Sequence, residues 1–271
     1  MTLKEAIELL RHSGVDSPEH DARELFKAFG LLSPAEPFTL SSSSDTQQLL
    51  DALDRRAAGE PLQYIIGEVG FYREVYTVSP YCLIPRSDTE ILVDYAVKNI
   101  PRGESFLDLC CGSGCIGIST LANTRDTRCL SVDVSDEVLD ITRQNAQRNG
   151  VLDRLTTMKI DLLTGGEELT GEYFAVLSNP PYISEAVYRT LQREIFHEPR
   201  IAFVGGENGL MFYERLVPLS LRLIKQEGFI AFEIGYDQAD ALRAIAQANA
   251  CTCEIIKDYS GCDRVAILRR N

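Results

Sequence analysis

The sequence predicts an α/β protein, a mostly parallel, doubly wound sheet with a small helical unit ahead of it. Three observations carry that reading. From residue 104 onward, short apolar and β-branched segments alternate with helical patterns, as strands joined through crossover helices do. A glycine-rich turn, Gly112-Ser113-Gly114, follows the first of these segments. Ahead of residue 60 the apolar spacing is helical only. The length of 271 residues suits one large domain or a large domain plus a small one.

In the first part, Leu3, Ala6, Ile7, Leu9 and Leu10 recur at helical spacing, with Gly14 as the stop. Ser17-Pro18 supplies an N-cap and then a proline at the first helical position, and this helix runs to Gly30. Ser33–Ser44 is a Ser- and Pro-rich loop. Ser44-x-x-Gln47 reads as a capping box that opens a third helix through Leu49, Leu50 and Leu53 to Gly59. Residues 61–86 then change character. Tyr64-Ile65-Ile66-Gly67, Phe71 to Val78 and Leu83-Ile84 read as short strands, a β-hairpin linker between a helical domain at 1–60 and a large domain at 87–271. Asp88–Asn99 is helical. Strands are expected at Ser105–Cys110, Cys129–Val134, Leu155–Ile160, Phe174–Asn179, Phe229–Ile234, Cys251–Asp258 and Val265–Leu268. Ser135–Arg148, ending at Gly150, is one of the helices between them.

Composition narrows the function classes. Apolar residues make up 45% and charged residues 25%, as in ordinary globular proteins. No apolar run approaches the ~18 residues of a membrane-spanning helix. Lys4, Glu5, Glu8 and Arg11 interrupt the N-terminus where a secretory signal would be apolar, so a cytoplasmic protein is expected. The 27 Lys+Arg against 40 Asp+Glu give a net charge of −13, which disfavours a free-standing nucleic-acid binder. The 8 cysteines include Cys110, Cys111 and Cys115 close together, without paired Cys-x-x-Cys spacing, and the 3 histidines form no ligand pattern. Free, buried thiols and no metal site are expected.

The segment Phe106-Leu107-Asp108-Leu109-Cys110-Cys111-Gly112-Ser113-Gly114-Cys115-Ile116-Gly117 is a strand, a tight turn and a helix start. Gly112-x-Gly114-x-x-Gly117 matches the dinucleotide fingerprint, and Asp133 ends the next strand where an acid can bind both ribose hydroxyls. An adenosine-type cofactor is expected. Asp108 favours S-adenosylmethionine, whose methionine end offers an ammonium group, over the pyrophosphate of NAD. Asp161, ending the third strand, is positioned to accept from an adenine amine.

Ser178-Asn179-Pro180-Pro181-Tyr182 closes the fourth strand, at the edge where the reactive end of such a cofactor belongs. The prolines stiffen the chain and cannot donate. The Asn179 side-chain oxygen and the Pro180 carbonyl are then two fixed acceptors, suited to the two hydrogens of a planar NH2, and Tyr182 can stack on that group. Such an NH2 is a poor nucleophile until its lone pair is held toward an electrophilic methyl group. No nucleophile–base set is needed.

With these motifs in place, the chain resembles the amino-methylating class I S-adenosylmethionine methyltransferases, and within them the peptide chain release factor glutamine methyltransferases. The resemblance runs through Arg56–Gly67, Leu83–Glu90, Ser178–Ile183, Glu198-Pro199-Arg200, Gly205–Leu210 and Glu233-Ile234-Gly235. It implies a Rossmann-like seven-stranded class I methyltransferase sheet and a helical N-terminal domain, joined to it by a β-hairpin, that holds the protein substrate. It also implies N5-methylation of the glutamine in the Gly-Gly-Gln tripeptide of release factors, with S-adenosylhomocysteine as product. Asn179, Pro180, Pro181 and Tyr182 would hold the glutamine amide. Asp108, Cys110, Cys111, Gly112, Ser113, Gly114, Asp133, Asp161, Leu162 and Asn179 would line the cofactor. Two departures stand out: Cys110-Cys111 replaces a glycine–threonine pair, and Leu162 replaces a common aromatic. Cysteine lacks glycine's freedom, so Cys110 is expected in an ordinary backbone region.

Pro85-Arg86 through Glu90 reads either as a loop bordering the cleft or as a helix start capped by Asp88. Glu198-Pro199-Arg200 with Gly205–Gly209 reads either as a glycine-hinged flap or as a plain surface loop. Three rivals differ in what they require. A methyltransferase for exocyclic amines of DNA or RNA bases would use the same tetrapeptide but needs a basic face. Residues 1–60 hold 6 Lys+Arg against 11 Asp+Glu, and the remainder is also net acidic. A non-catalytic adenosine-binding module has no use for an amide clamp. An NAD dehydrogenase is disfavoured by Asp108 and by the lack of evident hydride-chemistry residues.

Overall fold

The structure, a computed structural model, describes residues 1–31 and 47–271. It divides into two compact units, Met1–Glu68 with Gln192–His197, and Val69–Leu191 with Glu198–Asn271. The expected loop Ser33–Ser44 and the Ser44 half of the expected capping box lie outside the described residues.

The first unit is helical: α1 (Leu3–His12), α2 (Pro18–Ala28), α3 (Gln47–Ala57) and α4 (Leu62–Ile66). Thr2 and Glu5 close a capping box on α1, which satisfies two of its free amide donors. At α2 the proline stands alone, because Ser17 makes no side-chain cap bond. Leu10, Leu25, Phe26, Leu49 and Leu53 are buried completely where the helices meet. The expected strand at Tyr64–Gly67 is instead α4, started after Pro61 and stopped by Gly67 in the left-handed region. Leu62, Ile65 and Ile66 pack on the α1–α3 cluster, and that burial overrides the strand preference of the two β-branched isoleucines.

Arg56 is the polar centre of this unit. The residue is 4% exposed, and its guanidinium donates to Asp21 (2.7 Å), to Glu194 and to the Glu60 carbonyl (3.1 Å). These bonds fasten the returning segment Gln192–His197 to α2 and α3.

The second unit opens with the hairpin β1 (Glu68–Phe71) and β2 (Glu74–Thr77). Of the stretch 61–86 expected as one hairpin linker, only this part is hairpin, and Phe71 and Tyr76 are buried in the unit's own core. A short 3-10 turn (Ser87–Thr89) leads into α5 (Glu90–Asn99). Then follow β3 (Ser105–Leu109), α6 (Cys115–Asn123), β4 (Arg128–Asp133), α7 (Asp136–Arg148), β5 (Leu155–Lys159) and β6 (Tyr173–Ser178). The chain closes with α8 (Glu185–Tyr188), α9 (Met211–Leu223), β7 (Ile224–Glu233), α10 (Ala239–Ala248), β8 (Cys251–Lys257) and β9 (Asp263–Arg270).

All seven expected strands are present, in the order β5-β4-β3-β6-β7-β9-β8. Pairings from β5 to β7 are parallel, and β9 runs antiparallel between β7 and β8. From β3 the chain moves outward through β4 to β5, and from β6 it moves the other way to β7, so the switch of direction falls between β3 and β6. Leu107 and Leu109 of β3 face one apolar layer, built with α9 and α10 residues, while Phe106 faces the other, with α5 and α6.

Removing Arg56 leaves Asp21 buried without its partner. Arg56→Ala is therefore expected to cost about 3–5 kcal/mol, the usual penalty for breaking a buried pair. Glu194 is 41% exposed, so Glu194→Ala is expected to cost under about 1 kcal/mol. Urea unfolding of both variants checks this, and equal losses contradict it.

Candidate functional site

The register of β3 on β6 places Leu109 opposite Ser178, and the Ser178 hydroxyl donates to the Leu109 carbonyl at 2.6 Å. The two motifs that leave these strands, Cys110–Gly114 and Asn179–Tyr182, are thereby neighbours at the carboxyl edge. A cavity of about 920 Å³ opens there, within the size range of cofactor sites. Its wall includes Cys110, Cys111, Gly112, Ser113, Asp133, Asp161, Leu162, Asn179 and Pro181. Gly114, Pro180, Tyr182 and Asp108 are placed outside that wall.

Asp108 departs furthest from its expected role. Side chains alternate along β3, and Asp108 points to the α6 side, fully buried. Its Oδ2 accepts from the Gly117 amide at 3.0 Å, and burial pushes its carboxyl well above the usual carboxylate range. Through Oδ2 it anchors the first turn of α6 from beneath, and the residue lies outside the cavity wall. Gly117 leaves room for it, since a Cβ there would lie 2.8 Å from that oxygen.

The turn itself overturns the expectation for Cys110. This residue adopts φ +56, in the left-handed region. With β3 held on both sides, the chain must bend sharply for the Cys111 amide to reach the Val132 carbonyl (3.0 Å). The neighbouring pairing thus imposes a conformation that costs a non-glycine residue about 1–3 kcal/mol.

Side chains that the sequence reading left out hold the turn in place. The Thr142 hydroxyl of α7 donates to the Gly112 carbonyl at 2.8 Å. Asn145, also on α7 and fully buried, donates to the carbonyls of Ser113 (2.9 Å) and Thr77 (3.0 Å) and accepts from the Thr77 amide (2.7 Å). No spacing in the sequence marks these two. A polar residue on the inward stripe of an amphipathic helix is the only signal they leave.

Asp133, half-buried, accepts from the amides of Gly112 (3.0 Å) and Val134 (2.8 Å). Burial raises its carboxyl despite these bonds. Asp161 is exposed and folds back on its own turn, accepting from the Leu163 amide (3.0 Å) and the Thr164 hydroxyl (2.8 Å).

At the other motif, Asn179 is half-buried and its Nδ2 donates to the Thr89 hydroxyl at 3.3 Å. Thr89 donates in turn to Glu233 Oε2 at 2.6 Å, and the Tyr182 hydroxyl donates to Glu233 Oε1 at 3.2 Å. Glu233 is 2% exposed at the end of β7, and burial pushes its carboxyl up to about 7. A carboxylate directly after the apolar run Phe229–Phe232 was its signal in the sequence.

The glycines at 205–209 serve close packing. A Cβ at Gly205 would lie 2.4 Å from the Pro181 carbonyl, and one at Gly209 would lie 2.2 Å from that of Tyr182. Ile183 and Val204 bridge the two stretches, and Gln238 donates to the Tyr182 carbonyl at 3.0 Å. Glu198 is 5% exposed, pairs with Arg86 and accepts from the Ile84 amide (3.0 Å). Pro85, Arg86 and Thr89 border the cavity, as one of the two readings of that segment holds. All eight cysteines are free thiols, and Cys82, Cys110, Cys111 and Cys115 stand in the cavity wall.

Comparison with known proteins shows what the chain is similar to. The family model described as PrmC N-terminal domain matches residues 2–67, and that described as Methyltransferase small domain matches residues 87–212. A release factor glutamine methyltransferase of Caulobacter vibrioides is 38% identical across 97% of this chain and 93% of its own length. One from Clostridium botulinum is 32% identical across 99% of this chain and 98% of its own. Among solved structures, ribosomal protein L11 methylase from Lactobacillus delbrueckii subsp. bulgaricus superposes with a TM-score of 0.53. That match covers 72% of this chain and 84% of that one at 17% identity, a likeness of fold alone.

Gly112 and Gly114 both have positive φ, but they differ in surroundings. A Cβ at Gly112 meets nothing within 4 Å, whereas one at Gly114 meets Ile118 and Thr142 at 2.8 Å. Gly112→Ala is expected to cost about 1–2 kcal/mol in backbone strain, and Gly114→Ala about 1–3 kcal/mol more from overpacking. Thermal melts of the two variants check the order, and a smaller loss at Gly114 contradicts it.

Proposed function

The chain belongs to the family of release factor glutamine methyltransferases, and from that premise we propose how its site acts. The reaction is transfer of a methyl group from S-adenosylmethionine to the side-chain amide nitrogen, N5, of the glutamine in the Gly-Gly-Gln tripeptide of a release factor. One observation carries the assignment of roles: Cys110 to Ser113 of the glycine turn and Asn179 and Pro181 of the tetrapeptide border one cavity at the switch of strand direction.

The residues present fit the cofactor. The Ser113 hydroxyl lies buried in the wall with no nitrogen or oxygen partner among the described residues, and Gly112 leaves open space above the turn. Asp133 would take the ribose hydroxyls, Asp161 and Leu162 would border the adenine, and Cys110 to Ser113 would face the methionine end. S-adenosylmethionine, when bound, supplies an electrophilic methyl group on a sulfonium.

The chain's own contribution is to ready the amide. A carboxamide nitrogen shares its lone pair with the adjacent carbonyl. The Asn179 side-chain oxygen and the Pro180 carbonyl accept its two hydrogens, which holds the nitrogen fixed and favours the pyramidal form in which the lone pair is free. Pro180 and Pro181 keep those acceptors rigid. Tyr182 flanks the clamp, its hydroxyl held by Glu233. The methylated nitrogen is strongly acidic and sheds its extra proton to water, so catalysis of this kind depends on positioning and needs no proton-shuttling triad.

The helical unit, with its acidic character, suits a protein partner whose surface is basic enough to work on the ribosome. Such complementarity speeds encounter and sharpens partner choice more than it adds affinity. It also disfavours nucleic acid as the direct substrate.

Purified protein is expected to label a release factor from S-adenosylmethionine, and to stop when the tripeptide glutamine is replaced. Labelling that persists, or that moves to nucleic acid, contradicts the assignment. Asn179→Ala is expected to lower kcat by about 100- to 1000-fold, while calorimetry shows S-adenosylhomocysteine still bound. An active Asn179→Ala variant overturns the clamp.

A further inference from the structure

An amide clamp works only if it is the right way round. Asn179 offers an oxygen on one side of its amide and an NH2 on the other, and only the oxygen accepts from a substrate amide. What sets that orientation lies behind the clamp. Asn179 Nδ2 donates to Thr89 Oγ1 (3.3 Å), and the Thr89 hydroxyl donates to Glu233 Oε2 (2.6 Å). Thr89 and Glu233 are each 2% exposed, so water cannot readily take either place.

We propose that Thr89 and Glu233 are positioning residues which lock the Asn179 amide with its oxygen toward the substrate. The proposal rests on the clamp described above and deepens it. Directionality follows from donor and acceptor counting. A carboxylate only accepts, so it obliges Thr89 to spend its one hydrogen on Glu233. The Thr89 oxygen is then an acceptor for Asn179 Nδ2, and Asn179 Oδ1 is left free for the substrate. A proton on Glu233 Oε2 reverses the chain: Thr89 accepts from Glu233, turns its hydrogen to Asn179, and favours the flipped amide. The same carboxylate receives the Tyr182 hydroxyl on its other oxygen, so one buried group orients both ends of the tetrapeptide.

Other elements also face Glu233. Arg264 of β9, itself paired with Asp258 and Asp88, favours its charged form, and Asp88 opposes it. Tyr182, Tyr213 of α9, whose hydroxyl donates to the Glu233 carbonyl at 2.8 Å, and Cys115 of α6 complete the surroundings, all three with burial-raised values. Burial holds the Glu233 carboxyl near 7, so the orienting form gains population as pH rises through that value.

The test compares Thr89→Val, Thr89→Ser, Glu233→Gln and Asn179→Ala in methyl transfer to an intact release factor. Thr89→Val keeps the shape and removes the hydroxyl. It is expected to lower kcat by about 100-fold, the scale of a misplaced reacting group, with KM for S-adenosylmethionine and calorimetric binding of S-adenosylhomocysteine unchanged. Thr89→Ser is expected to restore turnover. In the native enzyme kcat is expected to rise with pH through about 7, and Glu233→Gln, which cannot titrate, to lower kcat and lose that rise. Should Thr89→Val not fold, as judged by its binding of S-adenosylhomocysteine, the Glu233→Gln pH profile decides alone. A fully active Thr89→Val, a loss confined to KM, or a pH profile unchanged in Glu233→Gln overturns the proposal while an inactive Asn179→Ala leaves the clamp standing. An active Asn179→Ala overturns the clamp itself.

Discussion

The pairing of β3 with β6 is the constraint on which the rest of the site depends. It sets Leu109 against Ser178, fixes the switch of direction in the sheet and brings two motifs, far apart in the chain, to one edge. Everything nearby serves that juxtaposition. Asp108 anchors α6 from below, Thr142 and Asn145 of α7 hold the glycine turn from the side, and Gly205 and Gly209 let a second turn pack against Pro181 and Tyr182. The strain at Cys110 is the local cost of bending the chain where the sheet demands it.

The site combines two electrostatic styles. At the glycine turn, polar groups mainly fasten the backbone, and Asp133 is held by the amides of Gly112 and Val134 while still reaching the cavity. At Asn179 and Tyr182, a buried carboxylate and a hydroxyl stand behind the proposed amide clamp. A rigid pair of prolines lies between them. Such an arrangement suits a reaction in which the enzyme holds a weak nucleophile still, since orientation alone can account for many orders of magnitude in rate.

Much of this was legible in the sequence because local signals and topology agreed. Strand segments were apolar and bounded by turns, so all seven were placed, and the fingerprint glycines and Asn179-Pro180-Pro181-Tyr182 sat at strand ends where sheets of this type bind ligands. What failed to show was what only tertiary packing decides. Tyr64–Ile66 reads as a strand by residue type but is helical because its apolar residues meet a helical core. Asp108 reads as a ligand group until strand alternation turns it toward α6. Cys110 reads as ordinary backbone until its neighbours force the bend. Thr89 and Glu233 are separated by 144 residues, and nothing in the spacing of either predicts that they meet behind Asn179. The glycines at 205–209 read either as a hinge or as a plain loop, and neither reading reveals the close approach of Gly205 and Gly209 to Pro181 and Tyr182.

The central claim is that a planar amide is held between the Asn179 side-chain oxygen and the Pro180 carbonyl. A crystal structure of this enzyme with S-adenosylhomocysteine and a release factor would test it most directly. The account predicts the Gly-Gly-Gln glutamine in the cavity, its amide nitrogen within hydrogen-bond distance of both oxygens, and Asn179 Nδ2 still on Thr89. A glutamine held elsewhere, or an Asn179 amide turned with its nitrogen toward the substrate, would contradict it.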